Sequence, residues 1–167
     1  EAGVPVIWRG PMLAKMVSQF LFSVEWGDLD ILLLDLPPGT GDVQLTLTQM
    51  APLTGAVIVT TSSTLALEDV GRGVQMFRQT DVPILGLIEN MSTFTCDSCG
   101  SESHPFGHGG GASAASALDI PFLGEIPLDP SLRSGADDGT PAFISQPQSP
   151  ASQAMRGISR GLLEKLA

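Results

Sequence analysis

Two cysteines with metal-binding chemistry lie close together in the segment Cys96-Asp97-Ser98-Cys99. A C-x-x-C spacing brings two thiolates onto one metal ion or iron–sulphur cluster. Two thiolates supply only half of a four-ligand site, so a second chain or further side chains must complete it. His104 and His108 follow at C-x2-C-x4-H-x3-H spacing, which leaves a zinc site within one chain open. A dithiol–disulphide redox pair is a third interpretation, although no thioredoxin-like pattern surrounds the cysteines.

A second group of candidate residues is Asp35-Leu36-Pro37-Pro38-Gly39-Thr40-Gly41-Asp42, which directly follows the apolar run 31–34. In α/β folds, ligands bind at the carboxyl ends of the strands. An Asp at such a position can hold Mg²⁺, and the glycines let backbone N–H groups approach a phosphate closely. The same residues also fit a structural strand-to-helix turn with Asp42 as the N-cap, so the chemistry of this segment leaves both interpretations open.

Three weaker candidates follow the later apolar runs of the chain. Asn90 ends the run that begins at Ile84, and an amide there can hydrogen-bond an adenine edge. A loop-capping role is the simpler interpretation of Asn90, and the same holds for Asp129, after the run 122–126. The glycine-rich segment Phe106-Gly107-His108-Gly109-Gly110-Gly111 leads into a helix start, where an anion can bind.

The elements that must position these residues alternate between strands and helices. Four apolar runs show no polar alternation, which is typical of strands buried on both faces of a parallel sheet. We therefore predict one α/β domain over 1–167, with a mostly parallel sheet flanked by helices. The predicted strands are 31–34, 56–59, 84–88 and 122–126, with a short extended piece at 4–8. The predicted helices are 12–24, 43–50, 65–79, 112–118 and 150–166, and the predicted irregular segments are 92–111 and 127–149.

The charge of the chain narrows its class of partner. The net charge is −10, which disfavours duplex DNA and anionic membranes as partners. No apolar run reaches the roughly 18 residues needed to span a bilayer. Two closely spaced cysteines without a secretion signal do not indicate a disulphide framework, so we expect a cytoplasmic protein without nucleic-acid or membrane partners. The chain has only two lysines, and neither lies in a G-x-x-x-x-G-K segment.

Taken together, these segments resemble a known family. The stretch from Asp30 to Leu47, with Asp35-Leu36-Pro37-Pro38-Gly39-Thr40-Gly41-Asp42 at its centre, is similar to the signature of the Mrp/ApbC iron–sulphur cluster carriers, a MinD/ParA-like branch of the P-loop ATPases. The similarity runs almost end to end. It includes Trp8-Arg9-Gly10-Pro11-Met12, Val59-Thr60-Thr61, Ala66-Leu67-Glu68-Asp69-Val70, Gly86-Leu87-Ile88-Glu89-Asn90-Met91-Ser92, the Cys96–Cys99 pair, and Phe122-Leu123-Gly124-Glu125-Ile126-Pro127-Leu128-Asp129-Pro130.

The resemblance implies a role for each candidate residue. It implies that Cys96 and Cys99 bind a [4Fe–4S] cluster together with the same residues of a second subunit, across a homodimer interface. The cluster would pass to apo iron–sulphur proteins, in contact with the cluster assembly machinery, under control of ATP and Mg²⁺ in the full-length protein. Asp35 would be the catalytic Walker B acid, and the nucleotide-binding residues would be Pro38, Gly39, Gly41, Asn90 and Asp129.

Two features depart from the family pattern. The family has a Walker A loop, a first central strand and a switch I segment before the point where this sequence begins. We therefore expect that this chain alone neither binds ATP tightly nor hydrolyses it. Ser62-Ser63 also stands where the family often has Pro-Gln. Two alternatives stay open, a zinc-stabilised Cys/His module and a MinD/ParA-like partitioning ATPase, of which the acidic surface disfavours the second.

Overall fold

The computed structural model of the chain describes residues 10–36 and 41–166. Within these residues, helices and strands alternate along most of the chain. In chain order the elements are α1 (Gly10–Phe22), α2 (Asp42–Met50), β1 (Ala56–Thr60), α3 (Thr64–Gln79), β2 (Ile84–Asn90), β3 (Phe94–Thr95), β4 (Glu102–Ser103), α4 (Gly110–Ala117), β5 (Phe122–Ile126), α5 (Pro130–Asp137), α6 (Ala142–Ser145) and α7 (Pro150–Leu166).

A parallel sheet of order β1-β2-β5 forms the centre of the fold. Helix α3 connects β1 to β2, and α4 lies on the connection from β2 to β5, as expected for parallel strands. The predicted α/β class with a parallel sheet flanked by helices is therefore confirmed. All five predicted helices exist, with ends within two residues of those expected.

The core lies on both faces of β2, because successive side chains of a strand point to opposite faces. On one face, Leu87 packs with Val70 and Val74 of α3 and with Ala115 of α4. On the other face, the buried residues that pack together are Ile88 of β2, Ile126 of β5, and Ala151 and Ile158 of α7. The central strand is thus covered on both sides, which explains why its sequence lacks polar alternation.

The predicted strand 31–34 is wrong. These residues form no strand, and their side chains are exposed, with Leu33 at 88%. A strand needs a neighbour that completes its backbone hydrogen bonds, whatever its side chains are. Among the described residues β1 pairs only with β2, so its other edge offers no ladder to 31–34, and Val59 of β1 is 58% exposed.

The two segments predicted as irregular contain short elements. Strands β3 and β4 form an antiparallel hairpin within 92–111, and α5 and α6 lie within 127–149. Helix α5 carries a local start signal that the prediction missed, since Asp129 is its N-cap and Pro130 its first residue. The extended piece predicted at 4–8 lies outside the described residues. No described helix has the length and apolar character of a membrane span.

Candidate functional site

The cysteine pair lies at the tip of the β3–β4 hairpin. The backbone N–H of Cys96 donates to the Ser101 carbonyl at 2.9 Å, and the N–H of Gly100 donates to the Cys96 carbonyl at 2.8 Å. Gly100 has φ of +70°, a left-handed conformation that glycine adopts without strain, and it turns the chain directly after Cys99. The hairpin therefore presents both cysteines on one tight turn.

The chemistry of this turn favours a thiolate at Cys99. Both cysteines are free, Cys96 half-buried and Cys99 exposed. The Sγ atom of Cys99 lies 3.1 Å from Oγ of Ser101. Hydrogen bonds from the side chain and then the backbone of Ser101, followed by one from Cys96, lower the pKa of Cys99, and desolvation opposes them only weakly. A lower pKa increases the thiolate fraction, which is the form that binds metal.

The two histidines do not join the cysteines in one ligand set. Nδ1 of His104 lies 3.0 Å from the Ser92 carbonyl, so this ring nitrogen is the one that carries the proton and donates. The rings of His104 and His108 are in contact with each other, with centroids 4.3 Å apart. Within 10–36 and 41–166, no three His, Cys, Asp or Glu side chains form a group that could hold a metal ion. The four-ligand zinc arrangement is therefore not assembled here.

The structure describes only part of the predicted nucleotide site around Asp35. Pro38 and Gly39 lie outside the described residues. Asp35 is exposed and follows the segment that forms no strand, so no sheet holds its carboxylate in place. Gly41 has the N-cap position of α2, which begins at Asp42, so Asp42 is not the N-cap.

Asn90 and Asp129 both make local hydrogen bonds with the backbone. Oδ1 of Asn90 accepts from the N–H of Met91 at 3.0 Å, and Oδ1 of Asp129 accepts from the N–H of Ser131 at 2.8 Å. Burial raises the pKa of Asp129, but Ser131, whose backbone N–H donates to the carboxylate, and Ser149 lower it further, so that the net shift is downward. These contacts match the capping roles that are the simpler interpretation of the sequence.

A buried carboxylate that the sequence analysis missed holds the start of α4, the helix that follows the cysteine hairpin. Glu89 of β2 is fully buried, and its Oε1 accepts from the hydroxyl of Ser62 at 2.5 Å. Its Oε2 accepts from the N–H of Gly111 at 2.7 Å, and the Ser62 oxygen accepts from the N–H of Gly110 at 2.9 Å. We call Ser62, Glu89, Gly110 and Gly111 the Glu89 clamp. The predicted anion site at the start of α4 is thus filled by the chain's own carboxylate.

The glycines of the clamp fit closely against their partners. A Cβ atom at Gly111 would lie 2.8 Å from Oε2 of Glu89, and one at Gly110 would lie 3.1 Å from the Ser62 carbonyl oxygen. Gly107, with φ of +99°, would place a Cβ 3.2 Å from that same oxygen. Packing against Ser62 and Glu89 therefore explains Gly107, Gly110 and Gly111, whereas Gly109 has open space and a left-handed φ of +68°. A carboxylate at the end of an otherwise apolar strand was the sequence signal that such donors must exist.

The sequence of the chain is similar to a known family and to several proteins of that family. A family model described as ParA, NUBPL iron-transfer P-loop NTPase, matches residues 1–163. The chain is 47% identical over 162 residues to the iron-sulfur cluster transfer protein NUBPL of Dictyostelium discoideum, covering 97% of this chain and 50% of that protein. It is 49% identical over 164 residues to an iron-sulfur cluster carrier protein of Synechocystis, covering 98% of this chain and 46% of that protein. The chain thus spans about half the length of the curated relatives it matches.

A solved structure supports the same relationship. It is a nucleotide-binding protein from Archaeoglobus fulgidus in complex with ADP, and it matches with a TM-score of 0.71 and 40% sequence identity. The match covers 83% of this chain and 56% of that one. The parallel sheet and flanking helices are therefore shared with a protein whose structure contains a nucleotide.

Proposed function

The chain belongs to the ParA family of NUBPL iron-transfer P-loop NTPases, and from this premise we propose that it carries an iron–sulphur cluster as cargo on Cys96 and Cys99. The observation that carries the proposal is the hairpin turn with both free thiols, one of them exposed and with a lowered pKa. A cysteine pair on an exposed hairpin turn suits a cluster that must be handed to another protein, because the acceptor's ligands can reach the iron.

We propose that two copies of the chain share one [4Fe–4S] cluster. A cubane cluster takes four thiolates, and one chain has two cysteines. A symmetric pair of chains around a two-fold axis brings two identical hairpins together, so that each copy contributes the same two ligands. The exposed position of Cys99 leaves room for this approach.

The geometry of the histidines favours a cluster over a one-chain zinc site. The hydrogen bond from Nδ1 of His104 to the Ser92 carbonyl leaves only Nε2 of that ring able to bind a metal, and the ring is in contact with that of His108. The cysteine pair therefore lacks ligands from its own chain among the described residues. A second pair of thiolates is the simplest source of the remaining two.

We propose that ATP and Mg²⁺ control cluster binding in the whole protein. In this chain, the amide of Asn90 and the carboxylate of Asp129 lie at the carboxyl ends of β2 and β5, the edge where α/β folds bind nucleotides. The fit is partial, because both side chains already accept local hydrogen bonds and Asp35 has no strand behind it. These 167 residues contain no G-x-x-x-x-G-K segment, so we propose no ATP hydrolysis by this chain on its own.

The proposed clients are apo iron–sulphur proteins together with the cluster assembly machinery. The acidic surface, with a net charge of −10, supports a cytoplasmic protein that binds neither nucleic acid nor membrane. Measuring cluster transfer to an apo ferredoxin tests the client class directly, since the acceptor's recovery of its own spectrum reports the transfer.

The first test of the proposal is anaerobic reconstitution of the chain with iron and sulphide. We expect broad visible absorption, about two irons per chain and elution as a dimer, as a four-iron cluster shared by two chains requires. Cys96→Ala and Cys99→Ala should each abolish the absorption. Ser98→Ala, an exposed change between the two cysteines, is the matched control and should leave the iron content unchanged.

A double variant of the two histidines distinguishes a shared cluster from a one-chain zinc site. The double variant His104→Ala with His108→Ala should keep the visible absorption and the iron content, because neither ring is a ligand in the proposed site. A colourless monomer that takes up one zinc ion per chain, and loses it in the double variant, would show that the cluster proposal is wrong.

A further inference from the structure

We propose that Ser62 and Glu89 are positioning residues for the cysteine loop, which we define as residues 92–109, and that they hold it in the orientation that cluster binding needs. The inference rests on the proposed function for its consequence but on the hydrogen bonds of the Glu89 clamp for its geometry. Neither side chain touches the cluster in this proposal. Both act through the backbone at the end of the loop, where it enters α4.

The loop is held at its end by the clamp and at its beginning by the sheet. At its end, Gly110 and Gly111 donate to Ser62 and Glu89, so the first turn of α4 cannot move away from β2 without breaking two hydrogen bonds. At its beginning, β2 ends one residue after Glu89, at Asn90, and the N–H of Ser92 donates to the Ile126 carbonyl at 3.1 Å. The cysteine loop is therefore attached at both ends to the sheet.

A link within the loop extends this attachment toward the cysteines. The His104 ring donates to the Ser92 carbonyl, which joins the strand after the cysteine turn to the first residue of the loop. Gly107 packs on Ser62, so the returning half of the loop also rests on the clamp. Ser62 thus contacts the returning half of the cysteine loop, and the His104–Ser92 hydrogen bond connects that half to the first residue of the loop.

The burial of Glu89 explains why the clamp is rigid. A fully buried carboxylate is stable only while its donors stay in place, and opening the loop would leave it unsatisfied. The positive end of the α4 dipole adds to its stabilisation. The end of the loop therefore packs against the sheet only when Glu89 gains its hydrogen bonds. This coupling restricts the orientations of the cysteine loop before a second chain binds.

Hydrogen exchange of the iron-free chain tests the positioning without using the cluster. The amides of Cys96 and Gly100 are hydrogen-bonded within the turn and should be partly protected. In Ser62→Ala we expect exchange in the cysteine loop to rise by about tenfold, as loss of one hydrogen bond to a charged group predicts. In Glu89→Gln we expect a rise as well, because a neutral amide replaces the charged acceptor of the Gly111 N–H. Amides of α7, on the opposite face of the sheet, should keep their rates.

Two matched substitutions serve as controls. Ser63→Ala removes a neighbouring hydroxyl whose contact is to Thr61, at 3.1 Å, and Glu125→Gln repeats the acid-to-amide change on β5 at the position in register with Glu89. Both should leave exchange of the cysteine loop unchanged. Unchanged exchange in Ser62→Ala and Glu89→Gln, or an equal rise in the loop and in α7, would overturn the positioning role.

Cluster retention then tests the consequence of the clamp. After reconstitution, Ser62→Ala should show the wild-type absorption spectrum but lose its cluster to a chelator about tenfold faster, because ligands are unchanged and only their orientation is freed. Equal loss rates in Ser62→Ala and the wild type would refute the inference. If the wild type takes up no cluster, the proposed function fails, and the exchange data still decide whether the clamp holds the loop.

Discussion

Replacing Gly111 by Ala should destabilise the chain, although Ala is normally the better helix former. An added Cβ would lie 2.8 Å from Oε2 and 2.9 Å from Cβ of Glu89, and 3.2 Å from a methyl carbon of Leu87. Glu89 and Leu87 are both completely buried, so neither can swing into solvent to make room. The contact must be relieved by moving α4 away from β2 or by breaking the Gly111–Glu89 hydrogen bond.

The magnitude follows from two opposing contributions. Ala in place of Gly in a helix stabilises by roughly 0.5–1 kcal/mol. Overpacking of a rigid site costs about 1–3 kcal/mol, and this site belongs in the upper half of that range because the hydrogen bond to a buried carboxylate is lost as well. The net expectation is a loss of about 1–2 kcal/mol in the free energy of unfolding, with a Tm lowered by about 2–4 °C for each kcal/mol.

Gly73→Ala provides the matched control. Gly73 lies in the interior of α3, and a Cβ there would meet no atom within 4 Å. The same substitution should therefore stabilise by roughly 0.5–1 kcal/mol. Urea unfolding followed by circular dichroism measures both variants. Equal or increased stability of Gly111→Ala would refute the close packing of α4 against Glu89, whereas loss of stability in both variants would indicate that glycine is needed for reasons other than this contact.

Three further outcomes follow from the described contacts. Ser101→Ala should raise the pKa of Cys99 toward its ordinary value, so that the midpoint of the alkylation rate against pH moves upward; no movement, with Ser98→Ala as the control, would contradict the role of the hydroxyl. Asp129→Ala should cost about 1 kcal/mol by removing the α5 cap. Because folding lowers the pKa of Asp129, the difference in unfolding free energy between the wild type and Asp129→Ala should be largest above pH 3.8, the ordinary pKa, and should decline as the pH falls through the lower pKa of the folded chain. A difference that does not change with pH in urea unfolding would contradict this expectation. Leu33→Glu should lower binding of an apolar dye to the native chain without lowering Tm, and a large fall in Tm would show that Leu33 is buried.

The sequence correctly predicted the strands that pair with another strand among the described residues. The apolar runs at 56–59, 84–88 and 122–126 became β1, β2 and β5, because each pairs with at least one of the others. Ser149 and Pro150 correctly marked the start of α7, where the Ser149 hydroxyl accepts from the N–H of Ser152 at 3.2 Å. The run 31–34 is as apolar as the runs that became strands, but it forms no strand, because apolar side chains alone do not supply partners for the backbone.

The sequence likewise predicted those parts of the candidate site that depend on residues close together in the chain. Residue type and spacing were enough to single out the cysteine pair, because two thiols three positions apart are a local feature. Glu89 was missed because its donors lie 27 and 22 positions away, at Ser62 and Gly111, and no local pattern connects them. Asn90 and Asp129 were correctly placed at strand ends, but only the structure revealed that each already has a backbone partner.

The glycine-rich segment before α4 shows why a motif can suggest the wrong ligand. A helix N-terminus flanked by glycines favours an anion, and the physical prediction was sound. The anion is the Glu89 carboxylate, which reaches the helix from β2 and is fully buried. A phosphate at this place would have to displace Glu89 and leave a charged group inside the core without its donors, which costs roughly 1–3 kcal/mol for each lost hydrogen bond and more for a charge. The start of α4 is therefore closed to external anions, and its glycines serve to bring the end of the cysteine loop against the sheet.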